Sequence, residues 1–232
     1  MITFDGVDIN SIAPVKIEDI RVSPVALNPL ARDRSVSGGA QFVRTRDGTR
    51  TVAITFALLV DDPMQRAAYF NALRNWAKRD REYKLEIAYM PDVYLEAVCT
   101  GFPEPSVRQW WESKLRITFT CFDNPYWTSR AERTVECGQE IIAGGDAPPL
   151  MQIERTLTAS ASNQSYSDGS KTMTFKTIPA GNLIIDLNRQ TAAVNGSSIM
   201  QNYTFTSKFL IPRTGVQTIT GTGAIKFRER WV

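Results

Sequence analysis

The feature that most restricts this chain is a strict two-residue alternation of apolar and polar side chains, repeated in several separate segments. In "TVAITFALLV" (51–60), Val52, Ile54, Phe56, Leu58 and Val60 share one face, the period of a strand with one buried side. The same period runs through "YKLEIAYM" (Tyr83, Leu85, Ile87, Tyr89) and "DVYLEAVCT" (Val93, Leu95, Ala97, Cys99). It continues in "WWESKLRITFTCF" (Trp111, Leu115, Ile117, Phe119, Cys121). A slip of one residue would turn any of these faces to water, so register is well specified. Ahead of the first run, "FVRTRDGTR" carries Asp47-Gly48, a favoured tight turn, and residues 41–60 read as a hairpin.

One segment breaks the alternation. In "DDPMQRAAYFNALRNWAKRD", Phe70, Leu73, Trp76 and Ala77 recur at helical spacing, so this is an amphipathic helix over 62–80 that covers a sheet. Asp62 is placed to cap its first amides, and Pro63 occupies the first turn, where a missing N–H costs nothing. That role also accounts for the Asp61-Asp62 carboxylate pair.

The strand pattern stops at "CFDNPYWTSR" (121–130). Proline cannot donate to a ladder and biases its predecessor away from helix. Beyond it the composition becomes rich in Thr, Ser, Asn and Gly, with no amphipathic helix. Short strands are expected in "LMQIERTLTA", "KTMTFKTI", "NLIIDLN", "TAAVNG", "YTFTSKFLI", "VQTIT" and "AIKFRERWV", with turns at Asp168-Gly169, Asn195-Gly196 and 212–215. Asn124, Pro125, Tyr126 and Trp127 therefore mark an inter-domain seam, dividing the chain into 1–128 and 129–232. The fold class is mainly β. An α+β N-terminal domain, a β-barrel-like or β-sandwich sheet with one covering helix and an arm, precedes a β-sandwich.

Chemistry for catalysis is sparse. The chain has 232 residues and no histidine, which removes the commonest general base, the usual triads and every His-containing metal site. Cys99, Cys121 and Cys137 lack C-x-x-C spacing; Cys99 and Cys121 sit on apolar strand faces as small hydrophobes of a reducing compartment. Glu104, Glu112 and Asp123 have no partner at metal-ligand spacing. "GTGA" (221–224) lacks the third glycine and the helix of a dinucleotide fingerprint, and "AGGDAPP" (143–149) lacks a phosphate-binding Lys-Ser/Thr. The expectation is no enzyme, no cofactor and no metal.

A net charge of +3 is too small for a nucleic-acid footprint, and no basic run forms a DNA-binding arm. The N-terminus has no signal-peptide pattern, and no window approaches a membrane span. Asn163, Asn195 and Asn202 open Asn-X-Ser/Thr triplets, which without a secretory route read as chance. Two surface features remain. Residues 28–50 hold Arg32, Arg34, Arg44, Arg46 and Arg50 against two aspartates, either as a solvated loop or as an arm ordered against a neighbouring subunit. In Trp110-Trp111 only one indole can face the core, which leaves Trp110 as a surface aromatic for an interface or a sugar contact.

The succession "FDGVDI", "RTRDGTRTVAITFALL", a capped helix, paired strands, "LRITFTCFDNPYW", "GGDAPPLMQI", "NLIIDLNRQTAAVNG" and "IKFRERWV" resembles the distal tail protein family of long-tailed, non-contractile bacteriophages and related prophages. The resemblance covers nearly the whole chain. It implies a first domain of β-structure with a helix and an arm, six copies of which close into a ring, and a second domain that is a galectin-like β-sandwich. It implies a structural hub at the distal end of the tail, made in the bacterial host cytoplasm and carried at the virion tail tip. The implied partners are other copies of itself, the tail tube protein, and a tail-associated lysin or baseplate and receptor-binding proteins. DNA is met only in transit through the channel, and no membrane is involved. Some members carry carbohydrate-binding insertions, for which 232 residues leave no room. A sugar-binding adhesion module is the alternative, resting on the sandwich and Trp110.

Overall fold

The computed structural model describes residues 1–33, 40–103 and 114–232. The chain divides into two compact units, Met1–Trp127 with Val232, and Thr128–Trp231.

The first unit runs β1 (Ile2–Phe4), β2 (Val7–Asp8), a one-turn helix α1 (Ile9–Ile12), β3 (Val15–Val22), β4 (Leu27–Asp33), β5 (Ala40–Asp47), β6 (Arg50–Leu58), α2 (Pro63–Ala77), β7 (Tyr83–Ile87), β8 (Val93–Gly101) and β9 (Lys114–Cys121). Seven of these strands form one open antiparallel sheet in the order β2-β1-β7-β8-β9-β6-β3. The alternation read from sequence is what buries Val52, Ile54, Phe56, Leu85, Leu95, Ile117 and Phe119. Helix α2 begins as its residues dictate: Asp62 is extended (φ −72°, ψ 120°) and its carboxylate accepts the Met64 N–H at 3.0 Å. The helix ends at Ala77, short of the expected residue 80. Its buried stripe is Leu73, Trp76 and Ala77, while Phe70 is half-buried and meets the Phe102 ring edge-on at 5.0 Å. Trp76 packs edge-on against Phe4 and Phe119, at 5.8 and 6.2 Å between centroids, and its indole donates to the Val7 carbonyl. The helix thus closes the sheet's apolar face.

The Asp47-Gly48 pair does not close the expected hairpin. β5 pairs with β4, whereas β6 pairs with β3 and β9. The two antiparallel pairings join through Ser23 N–H to Thr51 O, Ala26 N–H to Thr49 O and Gly48 N–H to Ala26 O. Residues 15–33 and 40–58 are therefore the two sides of one long ribbon. Asp47-Gly48 lies at its kink, facing Ala26, because the Ala26 backbone takes up the hydrogen bonds that a tight turn would have kept local.

The boundary strand β10 (Trp127–Ser129) leads into β11 (Arg133–Glu136), β12 (Glu140–Ala143), β13 (Ala147–Leu157), β14 (Ala161–Ser167), β15 (Thr172–Ile178), β16 (Gly181–Asp186), β17 (Thr191–Val194), β18 (Ser197–Ser198), β19 (Gly215–Thr218) and β20 (Ala224–Trp231). Within the second unit, β18-β17-β16-β13-β20-β11 form one antiparallel sheet, and β14–β15 and β12–β19 form two ribbons. Ile153, Ile185, Ile225 and Phe227 of the sheet share one core with Tyr166, Met173 and Phe175 of the first ribbon and Ile141 of the second. This is a β-sandwich. Asn195 and Gly196, at φ +50° and +80°, join β17 to β18 as a primed turn requires.

The segment "YTFTSKFLI" (203–211) is not a strand. Tyr203 bridges Phe175, and the chain then turns so that the Ser207 N–H reaches the Thr204 carbonyl. Phe205, at the tip, is 98% exposed. The apparent alternation of Tyr203, Phe205 and Phe209 mixes two core contacts with one solvent-facing ring.

Candidate functional site

Two chemistries for a site are thin among the described residues. No group of three His, Cys, Asp or Glu side chains could hold a metal ion. Burial above all pushes the Cys121 thiol up to about 12 and the Cys137 thiol up to about 11, so neither is a reactive thiolate near neutrality. Among the described residues no helix is long and apolar enough to cross a membrane.

The most distinctive surface is the outer part of the ribbon, β4 with β5. Among the described residues these strands pair only with each other, and an isolated two-stranded ribbon is marginal in water by itself. Residues opposite each other in an antiparallel pair share a face. Asn28 faces Arg46 and Leu30 faces Arg44, so both arginines lie on one side; Leu27 faces Asp47 and Pro29 faces Thr45 on the other. Leu27 is 68% and Val43 57% exposed. Arg44 and Arg46 are exposed too, and neither joins an ion pair among the described residues. A bulge between Leu30 and Ala31 shifts the register farther out.

The root of the ribbon is held firmly. The Tyr126 hydroxyl donates to the Asp47 carboxylate. Arg50 is 3% exposed, with its guanidinium 5.9 Å from the centre of the Trp127 ring. Glu82 accepts the N–H groups of Phe122 and Asp123; burial chiefly raises its pKa, those two donors pull it back, and Asp123 and Glu96 add to the rise. The residues 121–127 are thereby tied into the first unit at the ribbon's base.

The sequence-derived residues separate accordingly. Arg44 and Arg46 lie side by side on the exposed ribbon. Arg50 does not belong with them: it sits in β6 facing Cys121, and its burial beside Trp127 makes it part of the unit's interior, a correction to its place among the arm arginines. Asn124, Pro125 and Trp127 are buried and Tyr126 is half-buried. Arg32 contributes backbone to β4, while its side chain, Arg34 and Trp110 lie outside the described residues. Among the described residues, sequence reasoning missed three exposed aromatics, Tyr89 at 59%, Phe122 at 54% and Phe205 at 98%. Tyr89 carried one usable signal: Pro91-Asp92 follows it closely, so the chain turns before the alternation reaches it, and β7 ends at Ile87.

No protein-family model matches the chain, and no curated protein matches it in sequence. The structure of the Dit protein of phage SPP1, described as a paradigm of the hub of the adsorption apparatus in phages infecting Gram-positive bacteria, superposes with a TM-score of 0.76 at 16% identity, covering 100% of this chain and 98% of that one. Two structures of the phage P2 baseplate in its activated conformation, with calcium and with strontium, match at 11% identity and a TM-score of 0.47 over 94% of this chain and 91% of theirs. The resemblance to phage distal tail proteins thus holds at the level of fold: along its whole length, this chain has the fold of the SPP1 Dit hub protein.

Proposed function

We propose that this chain is a distal tail protein, a structural hub at the tip of a long, non-contractile phage tail. Six copies close into a ring that joins the tail tube to the tail-associated lysin or to baseplate and receptor-binding components. The domain formed by 1–128 builds the ring, and 129–232 is a galectin-like sandwich carried on it. DNA passes through the ring in transit, and the chain performs no catalysis of its own. It is made in the host cytoplasm and resides at the virion tail tip.

The observation that carries this reading is the fold shared with SPP1 Dit over the complete chain at a TM-score of 0.76. The β4–β5 ribbon supports it, since a ring needs contacts between two different patches that close by rotation, and an exposed ribbon supplies one of them. The test is molar mass by light scattering with negative-stain imaging of the purified protein. Particles of six-fold symmetry with a central hole are expected; a monomer at every concentration, alone and in assembled tails, would reject the hub.

A further inference from the structure

The ribbon's seat on the neighbouring copy can be read from the same unit. Resting on the ring reading above, we propose that the basic face of the β4–β5 ribbon docks on the β7–β8 turn of the adjacent copy, with Arg44 and Arg46 against Tyr89 and Asp92.

Charge points to this turn. Residues 85–107 contain no Lys or Arg but four acids, Glu86, Asp92, Glu96 and Glu104. At the turn itself Asp92 is exposed and joins no ion pair among the described residues. Tyr89 is 59% and the adjoining Met1 68% exposed, so a carboxylate and an apolar surface lie together. On the ribbon, the Arg44 and Arg46 guanidiniums share a face with half-buried Leu30, and together they make the complementary pairing. Arginine stacks on tyrosine faces, and both residue types are over-represented among the side chains that dominate interfaces.

The seat is preformed, which lowers the ordering cost of association on that side of the contact. The turn is held by Met90 N–H to Ile87 O at 2.9 Å and Ala88 N–H to Met1 O at 3.1 Å. Both patches are exposed in the single chain, so neither covers the other within one copy. Two different patches on each copy give a head-to-tail contact, the kind that closes rings.

The rival seat is the corner of Leu59 and Met64, 61% and 79% exposed. It is less acidic in effect: Asp62 is committed to capping α2, and the Arg66 guanidinium is fixed on the Val60 carbonyl nearby.

The experiment uses two full-length variants and their mixture. R44E/R46E reverses the ribbon; Y89K/D92K reverses the seat. All four positions are exposed, so each variant should keep the wild-type circular dichroism spectrum and unfold cooperatively. Light scattering should show each variant at least tenfold weaker in assembly than wild type. A one-to-one mixture should recover rings, because every reversed ribbon then meets a reversed seat. A seat variant that assembles like wild type while the ribbon variant does not would overturn the proposed seat and leave the ring standing. Disruption by D61K in place of Y89K/D92K would do the same. A wild-type chain that stays monomeric would overturn the ring reading itself.

Discussion

Gly145 shows how one backbone position can hold two strands together. Its φ is +87°, a region that L side chains rarely adopt, and a Cβ there would run into the Arg230 carbonyl. The neighbouring Gly144 N–H donates to the Glu229 carboxylate at 3.0 Å, which also takes the Arg133 guanidinium. Gly145→Ala should therefore cost about 1–3 kcal/mol of stability in denaturant titrations. Asp168 is a different kind of residue-scale control. Burial alone would raise its carboxyl, but the N–H groups of Lys171 and Ser170, the Ser170 hydroxyl and the Arg213 guanidinium outweigh it, so its pKa lies below the ordinary value. A depressed carboxyl stabilises the fold above the unfolded-state pKa, and that stabilisation is lost as pH falls through the folded one. Asp168→Asn keeps an acceptor for the turn but removes the charge. Melting temperatures between pH 5 and pH 2 should fall less steeply in the variant than in wild type. The Asp168-Gly169 turn was legible in the sequence. The burial of Arg50 was not, because it depends on Trp127, which reaches it only through the fold.

At the scale of elements, α2 was legible because everything that specifies it is local: an N-cap aspartate, a proline at the first turn and an apolar stripe. Asp62→Ala should cost about 1 kcal/mol, read as a shift in denaturation midpoint with an unchanged slope. The ribbon was legible only in part. Composition marked 28–50 as unlike its surroundings, but the Asp47-Gly48 signal pointed to the wrong partner strand. Turn chemistry states that a chain can bend; hydrogen bonds from Ala26 decide what the bend joins. The segment 203–211 failed for a related reason. A two-residue period over so short a stretch fits a strand and also fits a turn that projects one ring outward. Phe205→Ser should change stability by no more than about 0.5 kcal/mol, whereas Phe175→Ala, which empties a place in the core, should cost about 3–5 kcal/mol. Thermal or chemical unfolding of the two variants side by side distinguishes them.

For the molecule as a whole, the two units each enclose a core. The second has Tyr166, Met173, Phe175, Ile185, Ile225 and Phe227 at its centre, an interior large enough for independent folding. Residues 128–232 expressed alone should unfold cooperatively, with dispersed amide resonances; a broad, non-cooperative transition would show that this core needs the rest of the chain. The sequence by itself determined the strongly alternating strands, the covering helix α2 and the mainly β class, because period and capping are properties of neighbouring residues. The succession of motifs also carried the resemblance to distal tail proteins, to the depth of the fold. Tertiary structure alone decided that residues 15–33 and 40–58 form one ribbon extending past the sheet, that Arg44 and Arg46 stand in solvent while Arg50 is enclosed, and that Tyr89 and Phe205 are left uncovered. Strand pairing and burial are set by contacts between residues far apart in sequence, and no local pattern records which of several compatible partners the folded chain will choose.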